Sequence, residues 1–397
     1  MLNRISSFHN YQSVQNDLRR QENKVHHNQA QLASGKQLLK PSDDPLATHY
    51  IQNISQKSEQ LDQYVDAIVL SRSRLEHNEI IISNAEDYVD EGKRTVMEMI
   101  NGSLSPEDRQ AKRREIEELF SHLLTLANTQ DESGNYVFSG TKAKVQPFFS
   151  DKAGNISYSG DDYQRKMRIS NSQEMPINYP GNKLFMEVAN PFGDYKPSYQ
   201  LQEASELLLE RATNTNPSDQ STYKLTFVDM PDNKYGYQLE QDGSVVKADV
   251  FDAAQGIKYD DISIQVKGQI TKGDVIELTP QKNINLFDTF KEARDLSDGS
   301  VSDSSNTAEL QRVVQEFHAG FIQMNKARSD VGARLSTLDI QEQQHEDFKL
   351  TLAKSKSNFE DLDYAAAVIE FNENSRALQA SQQAFGKTKD LTLFNYL

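Results

Sequence analysis

Helix-breaking residues are sparse at both ends of this 397-residue chain and concentrated in its middle. Eight of the eleven prolines lie between Pro147 and Pro280, and eleven of the eighteen glycines lie between Gly134 and Gly273. Proline and glycine interrupt helices and mark turns. The two ends are therefore predicted to be helical, and the middle is predicted to consist of strands and turns.

A five-residue motif is predicted to start the first long helix: Pro41, Ser42, Asp43, Asp44 and Pro45. Asp44 suits the N-cap, because the following proline disfavours the α conformation there and an aspartate side chain accepts backbone N–H groups. Pro45 suits the first helical position, where its missing N–H costs nothing. This helix would run to about Ile100, and a second would run from Pro106 to about Asn128.

Apolar residues recur at every seventh position in these helical regions, which is typical of helices that pack side by side. The first long series is Ile54, Leu61, Ile68, Leu75, Ile82, Val89 and Val96. A matching series near the other end is Leu310, Phe317, Met324, Val331 and Leu338. The two long series predict an intramolecular helical bundle.

The outermost segments carry series of their own. At the N-terminus the series is Tyr11, Leu18, Val25 and Leu32. Near the C-terminus it is Tyr364, Phe371, Leu378 and Phe385. The flanking N-terminal positions are mostly polar, as at Gln21 and Asn28, so the apolar stripe is narrow. A helix with so narrow a stripe gains little from folding alone, and we expect these residues to form an assembly interface.

The middle of the chain shows strand-like alternation separated by turn clusters. The predicted strands are Ile156–Tyr158, Lys166–Ile169, Tyr223–Val228, Tyr235–Leu239, Ile262–Val266 and Val275–Leu278. One short helix is predicted from Leu201 to Arg211. Because this region is inserted between helices that should pair with each other, it is expected to form an outer domain on a helical stem.

These patterns predict an α+β protein: a long antiparallel, coiled-coil-like bundle built from both chain ends, with an inserted β-rich outer domain. The predicted segments are an N-terminal inner helix over 1–40, the first part of the stem over 41–144 and the outer domain over 145–284. The second part of the stem would cover 285–360, and a C-terminal inner helix and tail would cover 361–397.

Composition excludes several classes of function. The chain has 59 acidic and 43 basic residues, a net charge of −16, which disfavours a broad surface for nucleic acid or an anionic membrane. It has no cysteine, which excludes disulfides, a thiol nucleophile and cysteine-bound zinc. No segment approaches the roughly 20 apolar residues of a membrane span, and the first residues lack a signal-peptide core. We expect a cytoplasmic chain or one exported without a cleavable signal.

No catalytic, cofactor or metal site is predicted. All eight histidines lie outside the predicted outer domain, so that domain can hold neither a serine–histidine pair nor a histidine-bound zinc. Acidic pairs such as Asp161-Asp162 and Asp260-Asp261 leave carboxylate chemistry open, but aspartates are common in turns for local hydrogen-bonding reasons. We therefore expect that the chain is not an enzyme and needs no cofactor.

The last seven residues, Leu391 to Leu397, are mostly large and apolar. Their burial would contribute roughly 8–15 kcal/mol gross, whereas fixing seven backbone units costs about 7–14 kcal/mol. The two nearly cancel, so a partner surface must add contact area. The tail adds four residues to the predicted assembly interface: Leu391, Leu393, Phe394 and Leu397.

Five sequence blocks together resemble the flagellin-like axial proteins, and most closely the flagellar hook-associated protein 3 family. Two lie near the N-terminus: Gln31-Leu32-Ala33-Ser34-Gly35-Lys36 with Pro41-Ser42-Asp43-Asp44-Pro45, and Gly134-Asn135-Tyr136-Val137-Phe138-Ser139-Gly140-Thr141. The others are Val331-Gly332-Ala333-Arg334-Leu335, Asp361-Leu362-Asp363-Tyr364-Ala365 and Leu391-Thr392-Leu393-Phe394-Asn395-Tyr396-Leu397. The resemblance covers about 1–145 and 285–397, and is loose in the outer domain.

This resemblance implies a structural subunit at the hook–filament junction, secreted unfolded through the flagellar export apparatus. Its partners would be identical subunits in a ring, the other hook-associated junction protein and flagellin. An export chaperone would hold the C-terminal helix before export. The terminal segments would pair as coaxial helices that are disordered in the free subunit.

Two other interpretations stay open at this stage. A flagellin-type filament subunit is the nearest alternative, although the prolines of the 41–45 motif and the LFNYL ending differ from the usual flagellin pattern. A secreted coiled-coil effector or adhesin is the other, but it would not need the apolar tail.

Overall fold

The computed structural model describes residues 2–101, 104–152, 154–230, 234–298 and 303–390. The chain forms two compact units. A terminal unit contains Met1–Asp66 and Ile340–Leu397, and a central unit contains Ala67–Asp339. The division falls inside two long helices, whereas the five-segment division expected from the sequence stays a prediction.

Seven helices account for the two ends of the described chain and for two short elements nearer its middle. They are α1 Leu2–Ser34, α2 Pro45–Asn101, α3 Pro106–Ala127, α4 Gly181–Phe185, α5 Leu286–Leu296, α6 Ser304–Glu360 and α7 Tyr364–Asp390. The predicted bounds of α2 and α3 are confirmed to within one residue. Ser105 caps α3 by accepting from the Asp108 N–H, while Asp108 accepts from the Ser105 N–H, a capping box.

Short antiparallel strands occupy the middle of the chain, as the alternation predicts. The strands are β1 Phe148–Ser150, β2 Ile156–Tyr158, β3 Lys166–Arg168, β4 Glu174–Pro176, β5 Val188–Ala189, β6 Tyr195–Gln200, β7 Leu208–Asn214, β8 Tyr223–Met230, β9 Lys234–Gln241, β10 Ser244–Val250, β11 Ile257–Tyr259, β12 Ile262–Lys267, β13 Val275–Pro280 and β14 Asn283–Ile284. All six predicted strands are present, and the α+β class is confirmed.

The strands form two main sheets and three small pairs. The larger sheet has the order β10-β9-β8-β13-β6, and a three-stranded sheet has the order β11-β12-β7. The pairs are β1 with β2, β3 with β4, and β5 with β14. Buried residues alternate with more exposed ones along β12 and β13, so one side of each strand faces a core. This alternation is typical of a sheet with one buried face.

The helix predicted from Leu201 to Arg211 is wrong. Residues 208–214 form β7, which pairs with β12 from Leu208↔Lys267 to Asn214↔Ile262. Ala204 has φ +63°, which interrupts a right-handed helix. Burial of Leu207 and Leu209 in the sheet core outweighs the local helix propensity.

Two hydrophobic cores lie in the central unit. The first joins the helices and includes the seven-residue series from Ile68 to Val96 and from Leu310 to Leu338, all of it buried. The second lies within the sheets and contains Tyr195, Phe227 and Ile264. The stem predicted from the two long apolar series is therefore present in this unit.

An aromatic cluster joins the stem helices to the first strands. The Phe148 ring lies 5.5 Å from Phe185 and 5.3 Å from Phe287. Tyr158 donates its hydroxyl to the Phe138 carbonyl over 2.8 Å. One block that carries the resemblance, 134–141, thus contacts this cluster through Phe138.

Candidate assembly surface

Two loops of the terminal unit are joined by backbone hydrogen bonds. The loop after α1 and the loop after α6 meet where the Leu362 N–H donates to the Gly35 carbonyl (3.0 Å) and the Gln37 N–H donates to the Glu360 carbonyl (2.8 Å). Lys36 also forms an ion pair with Glu360. Gly35 has φ +71°, and a Cβ there would lie 2.9 Å from the Tyr364 hydroxyl. The joint therefore favours glycine on both conformational and steric grounds.

The 41–45 motif begins α2 in the way its residues predict. Asp44 Oδ1 accepts the Leu46 N–H and the Ala47 N–H, each over 3.0 Å. Asp43 Oδ2 accepts the Lys40 N–H at 2.9 Å and the Leu39 N–H at 3.1 Å. The hydrogen bond from Lys40 holds the pKa of Asp43 below its usual range. Both carboxylates thus fix the loop rather than bind a ligand.

Helices α1 and α7 pack against each other. A polar pair lies within this contact, where Asn374 Nδ2 is 3.4 Å from Oδ1 of the buried Asn28. An asparagine pair in a helix seam fixes register at some loss of stability. The packing of α1 against α7 agrees with the paired terminal helices that the resemblance implies, whereas the assembly interface stays a prediction.

The structure describes only part of the predicted interface. Most of the described members are half-buried: Leu18, Val25, Leu32, Phe371, Leu378 and Phe385. Tyr364 is 55% exposed. Tyr11 belongs to α1, but its side chain lies outside the described residues, as do Leu391, Leu393, Phe394 and Leu397 entirely.

Exposed apolar side chains that the sequence analysis did not single out are frequent in the terminal unit. We define the terminal apolar surface as these side chains together with Tyr364. The added residues are Leu46, Tyr50, Ile340, Phe348, Leu350, Phe359, Val368 and Ile369. Leu46 is 66% exposed, Leu350 64% and Ile369 61%. Tyr50 and Phe359 stack with ring centroids 5.7 Å apart, so two members of the surface are ordered by each other.

One sequence signal could have found part of this surface. Val368 and Ile369 lie between Tyr364 and Phe371, so α7 carries apolar residues beyond the predicted seven-residue series. Exposed apolar residues on a helix that is already paired indicate a second partner. Clusters of side chains suited to hold a metal ion are absent from the described residues. Within the described part of the chain, no helix is long and apolar enough to cross a membrane.

Both ends of the chain match models of known protein families, and part of the chain is similar to two known proteins. The bacterial flagellin N-terminal helical region matches residues 5–143, and the flagellin C-terminal helical region matches residues 317–397. The flagellar hook-associated protein 3 of Escherichia coli is 31% identical over 160 residues, which is 40% of this chain and 50% of the relative. The corresponding Salmonella typhimurium protein is 26% identical over 160 residues with the same coverage. The match thus spans half the length of these relatives.

Solved structures share the fold. The hook-associated protein-3 structure from Legionella pneumophila has a TM-score of 0.66 at 23% identity, covering 78% of this chain and 98% of that one. The structure of FlgL from Xanthomonas campestris gives a TM-score of 0.63 at 20% identity, covering 77% of this chain and 99% of that one.

Both ends carry the helical regions that define the flagellin-like proteins, and the chain therefore belongs to that class. Within that class, the chain is similar to the flagellar hook-associated protein 3 of Escherichia coli.

Proposed function

We propose that this chain is a structural subunit of the bacterial flagellum that joins the hook to the filament and polymerises through its terminal helices. The observation that carries the proposal is the terminal apolar surface, found on a unit made from both flagellin-like ends. Apolar side chains exposed on several neighbouring helices are typical of a surface that another protein covers.

The energetics of the terminal unit support this role. Its buried apolar residues, among those described, are Ala47, Leu61, Leu352 and Ala367. Two of these are alanines and two are leucines, so buried side chains contribute much less hydrophobic free energy here than in the two cores of the central unit. Covering residues such as Tyr364 and Ile369 with a neighbouring subunit would supply the burial that the unit lacks alone.

The proposed partners follow from the same function. Identical subunits would form a ring, with the other hook-associated junction protein on one side and flagellin on the other. An export chaperone would cover the C-terminal helix α7 before assembly. The chain would leave the cell through the flagellar export apparatus, and segments 1–40 and 361–397 would form the inner helices of the tube.

Deletion of the gene tests the proposal. Cells without the junction subunit should carry intact hooks, bear no attached filaments and release flagellin into the medium. Filament attachment should return when the intact gene is supplied on a plasmid. Hooks with filaments of normal length in the deletion strain would contradict the junction role. Bare hooks without flagellin in the medium would instead identify the chain as the filament subunit.

A second experiment tests the interface itself. Removal of residues 391–397, or the double substitution Val368→Ser/Ile369→Ser, should abolish incorporation into flagella while the central unit stays folded. Val245→Ser/Val250→Ser is the matched control, because both valines are exposed (55% and 47%) on strand β10 of the central unit. Equal incorporation of the terminal variants and the control would contradict the assignment of the interface.

A further inference from the structure

A cleft of about 520 Å³ opens in the central unit, far along the chain from the terminal apolar surface. Residues of α2, of the loop after α3 and of the segments flanking the β3–β4 hairpin line it. Two arginines contribute to these walls, Arg74 from α2 and Arg165 from the segment before β3. The cleft therefore combines elements from three parts of the sequence around two cations.

Neither arginine forms an ion pair among the described residues, although the Asp131 carboxylate attracts both. In the described part of the chain, no ion pair involves the Arg74 or the Arg165 guanidinium, and the Arg165 Nε atom is buried without a hydrogen-bond acceptor. Burial and the nearby charge of Arg74 lower the pKa of Arg165. Other arginines of the same unit are paired, as Arg328 is with Glu79 and Glu86. A half-buried pair of like charges with an unsatisfied donor is stabilised when a carboxylate accepts hydrogen bonds from both guanidinium groups.

The acidic side chain nearest to this pair is already engaged. Asp131 Oδ1 accepts the Ser133 N–H and the Asn135 N–H, each at 2.9 Å. Burial opposes ionisation of Asp131, but these hydrogen bonds outweigh it and its pKa lies below the usual range. The two exposed carboxylates at the cleft, Glu76 and Glu132, form no ion pair with either arginine among the described residues.

Arg165 is held in place by buried groups rather than by a flexible loop. Its N–H donates to Oδ1 of the buried Asn178 over 2.7 Å. The adjacent Ile177 carbonyl accepts from the buried Asn78 of α2 at 3.2 Å. Arg334 of α6 donates to the Pro176 carbonyl at 3.3 Å. The guanidinium thus extends from a backbone that is fixed on both sides of the hairpin.

We propose that Arg74 and Arg165 form a carboxylate-binding site that accepts an acidic side chain from a second copy of this chain in the assembled polymer. Guanidinium groups bind planar carboxylates through paired N–H donors. The cleft margin carries Leu70 and Ile80, which are 46% and 56% exposed, as suits a protein partner. Each copy carries 59 acidic residues against 43 basic ones, so its neighbour presents a surplus of carboxylates. The choice of occupant rests on the proposed polymeric function, whereas the site itself does not.

The site is tested on the free full-length chain with glutarate as the probe. Glutarate should raise the midpoint of thermal unfolding by about 1–2 °C more than sodium chloride at equal ionic strength, because it binds the folded state. The added rise should vanish in Arg74→Gln/Arg165→Gln and persist in Arg168→Gln/Arg211→Gln, which removes the same charge from exposed positions of the central unit. No added rise, a rise that survives in the first variant, or a larger rise with phosphate would overturn the carboxylate site.

The occupant is tested in assembled flagella. The photoreactive residue p-benzoyl-phenylalanine replaces Ser73, an exposed residue in the lining of the cleft. Illumination should yield a covalent dimer of this chain, and the yield should fall at least fivefold in Arg74→Gln/Arg165→Gln. Incorporated subunits that cross-link only to another protein, or not at all, would overturn the second copy as occupant. Failure of the unsubstituted chain to enter flagella would instead count against the proposed function.

Discussion

The helices of the two units have the same seven-residue repeat of apolar residues, but the repeat is buried to different degrees. In the central unit the apolar series is fully buried, with Ile68, Leu75 and Ile82 each at 0% exposure. In the terminal unit the same series of α2 is half-buried at Ile54 and 8% exposed at Leu61. A seven-residue repeat therefore marks the face of a helix that packs, but the number of neighbouring elements decides how completely it is buried.

The difference separates stability from assembly. Both hydrophobic cores of the described chain lie in the central unit, while the terminal unit exposes residues such as Tyr364 and Ile369. Substitutions in the two hydrophobic cores should thus change the free energy of unfolding, and substitutions on the terminal apolar surface should change incorporation into flagella.

Phe317→Ala should give the largest change in stability. Phe317 is fully buried and meets the Phe290 ring edge-on at a centroid distance of 4.7 Å. Its truncation should lower the free energy of unfolding by about 3–5 kcal/mol, measured by urea titration. Phe348→Ala on the same helix is the control, because Phe348 is 47% exposed, and it should cost less than about 1 kcal/mol. Similar losses of unfolding free energy for the two variants would contradict the proposed difference between the central and terminal units.

Asp44→Ala should have an intermediate and local effect. It removes the acceptor of two N–H groups at the start of α2, a loss that typically costs about 0.5–2 kcal/mol. Hydrogen exchange should accelerate in the first turn of α2 but not around Val89. Ser42→Ala in the same motif serves as the control. Faster exchange throughout the central unit would show that the two units do not respond separately.

Asp219→Asn should produce a small, pH-dependent change in the central unit. Hydrogen bonds from Ser221, Tyr223 and Asn214 lower the pKa of Asp219 from 3.8 to about 2. Because the folded pKa is depressed, the stabilisation is present above about pH 4 and is lost as the pH falls toward 2. After allowance for solvent screening, we expect about 1 kcal/mol at pH 7.

Urea titrations of both chains across this pH range measure the effect. The difference in the free energy of unfolding between the wild type and Asp219→Asn should shrink as the pH falls from about 4. Asp43→Asn is the matched change in the terminal unit, where the carboxylate is exposed and its pKa is also lowered by backbone N–H groups. A difference for Asp219→Asn that is constant with pH would contradict the ionic origin.

Ile369→Ser should have the smallest effect on the free subunit. The side chain is 61% exposed, so the free energy of unfolding should change by less than about 0.5 kcal/mol. Incorporation into flagella should nevertheless fall, because a serine cannot replace the apolar contact. Normal filament attachment in cells that carry this variant would contradict the assignment of α7 to the assembly surface.

The fold was largely predictable from the sequence because its helices are long and periodic. The 41–45 motif located the start of α2, and the paired apolar series located the helices that make the core. The segment from Leu201 to Arg211 was misjudged because its leucines suit a helix locally, and only the pairing of β7 with β12 shows that they belong to a sheet. Such non-local pairing leaves no signal in a short window.

The candidate site was predictable in part. Packing of α1 against α7 was expected from the resemblance to flagellin-like proteins, which implies paired terminal helices. The exposed Tyr50 and Phe359 could not be identified, because an apolar residue in a helical pattern does not by itself reveal whether a neighbouring element covers it. These side chains are exposed because the terminal unit contains few elements that could cover them.

The joint between the loops at Lys36 and Glu360 also sets an order of events during folding. These residues are 324 positions apart, and closing so long a loop in an unfolded chain is slow and entropically costly. Once the central unit has formed, with Arg72 and Asp339 only 2.8 Å apart, the remaining span falls to roughly 60 residues, which lowers the closure penalty by about 1.5 kcal/mol. The centre of the chain should therefore fold first, and its two ends should meet only afterwards.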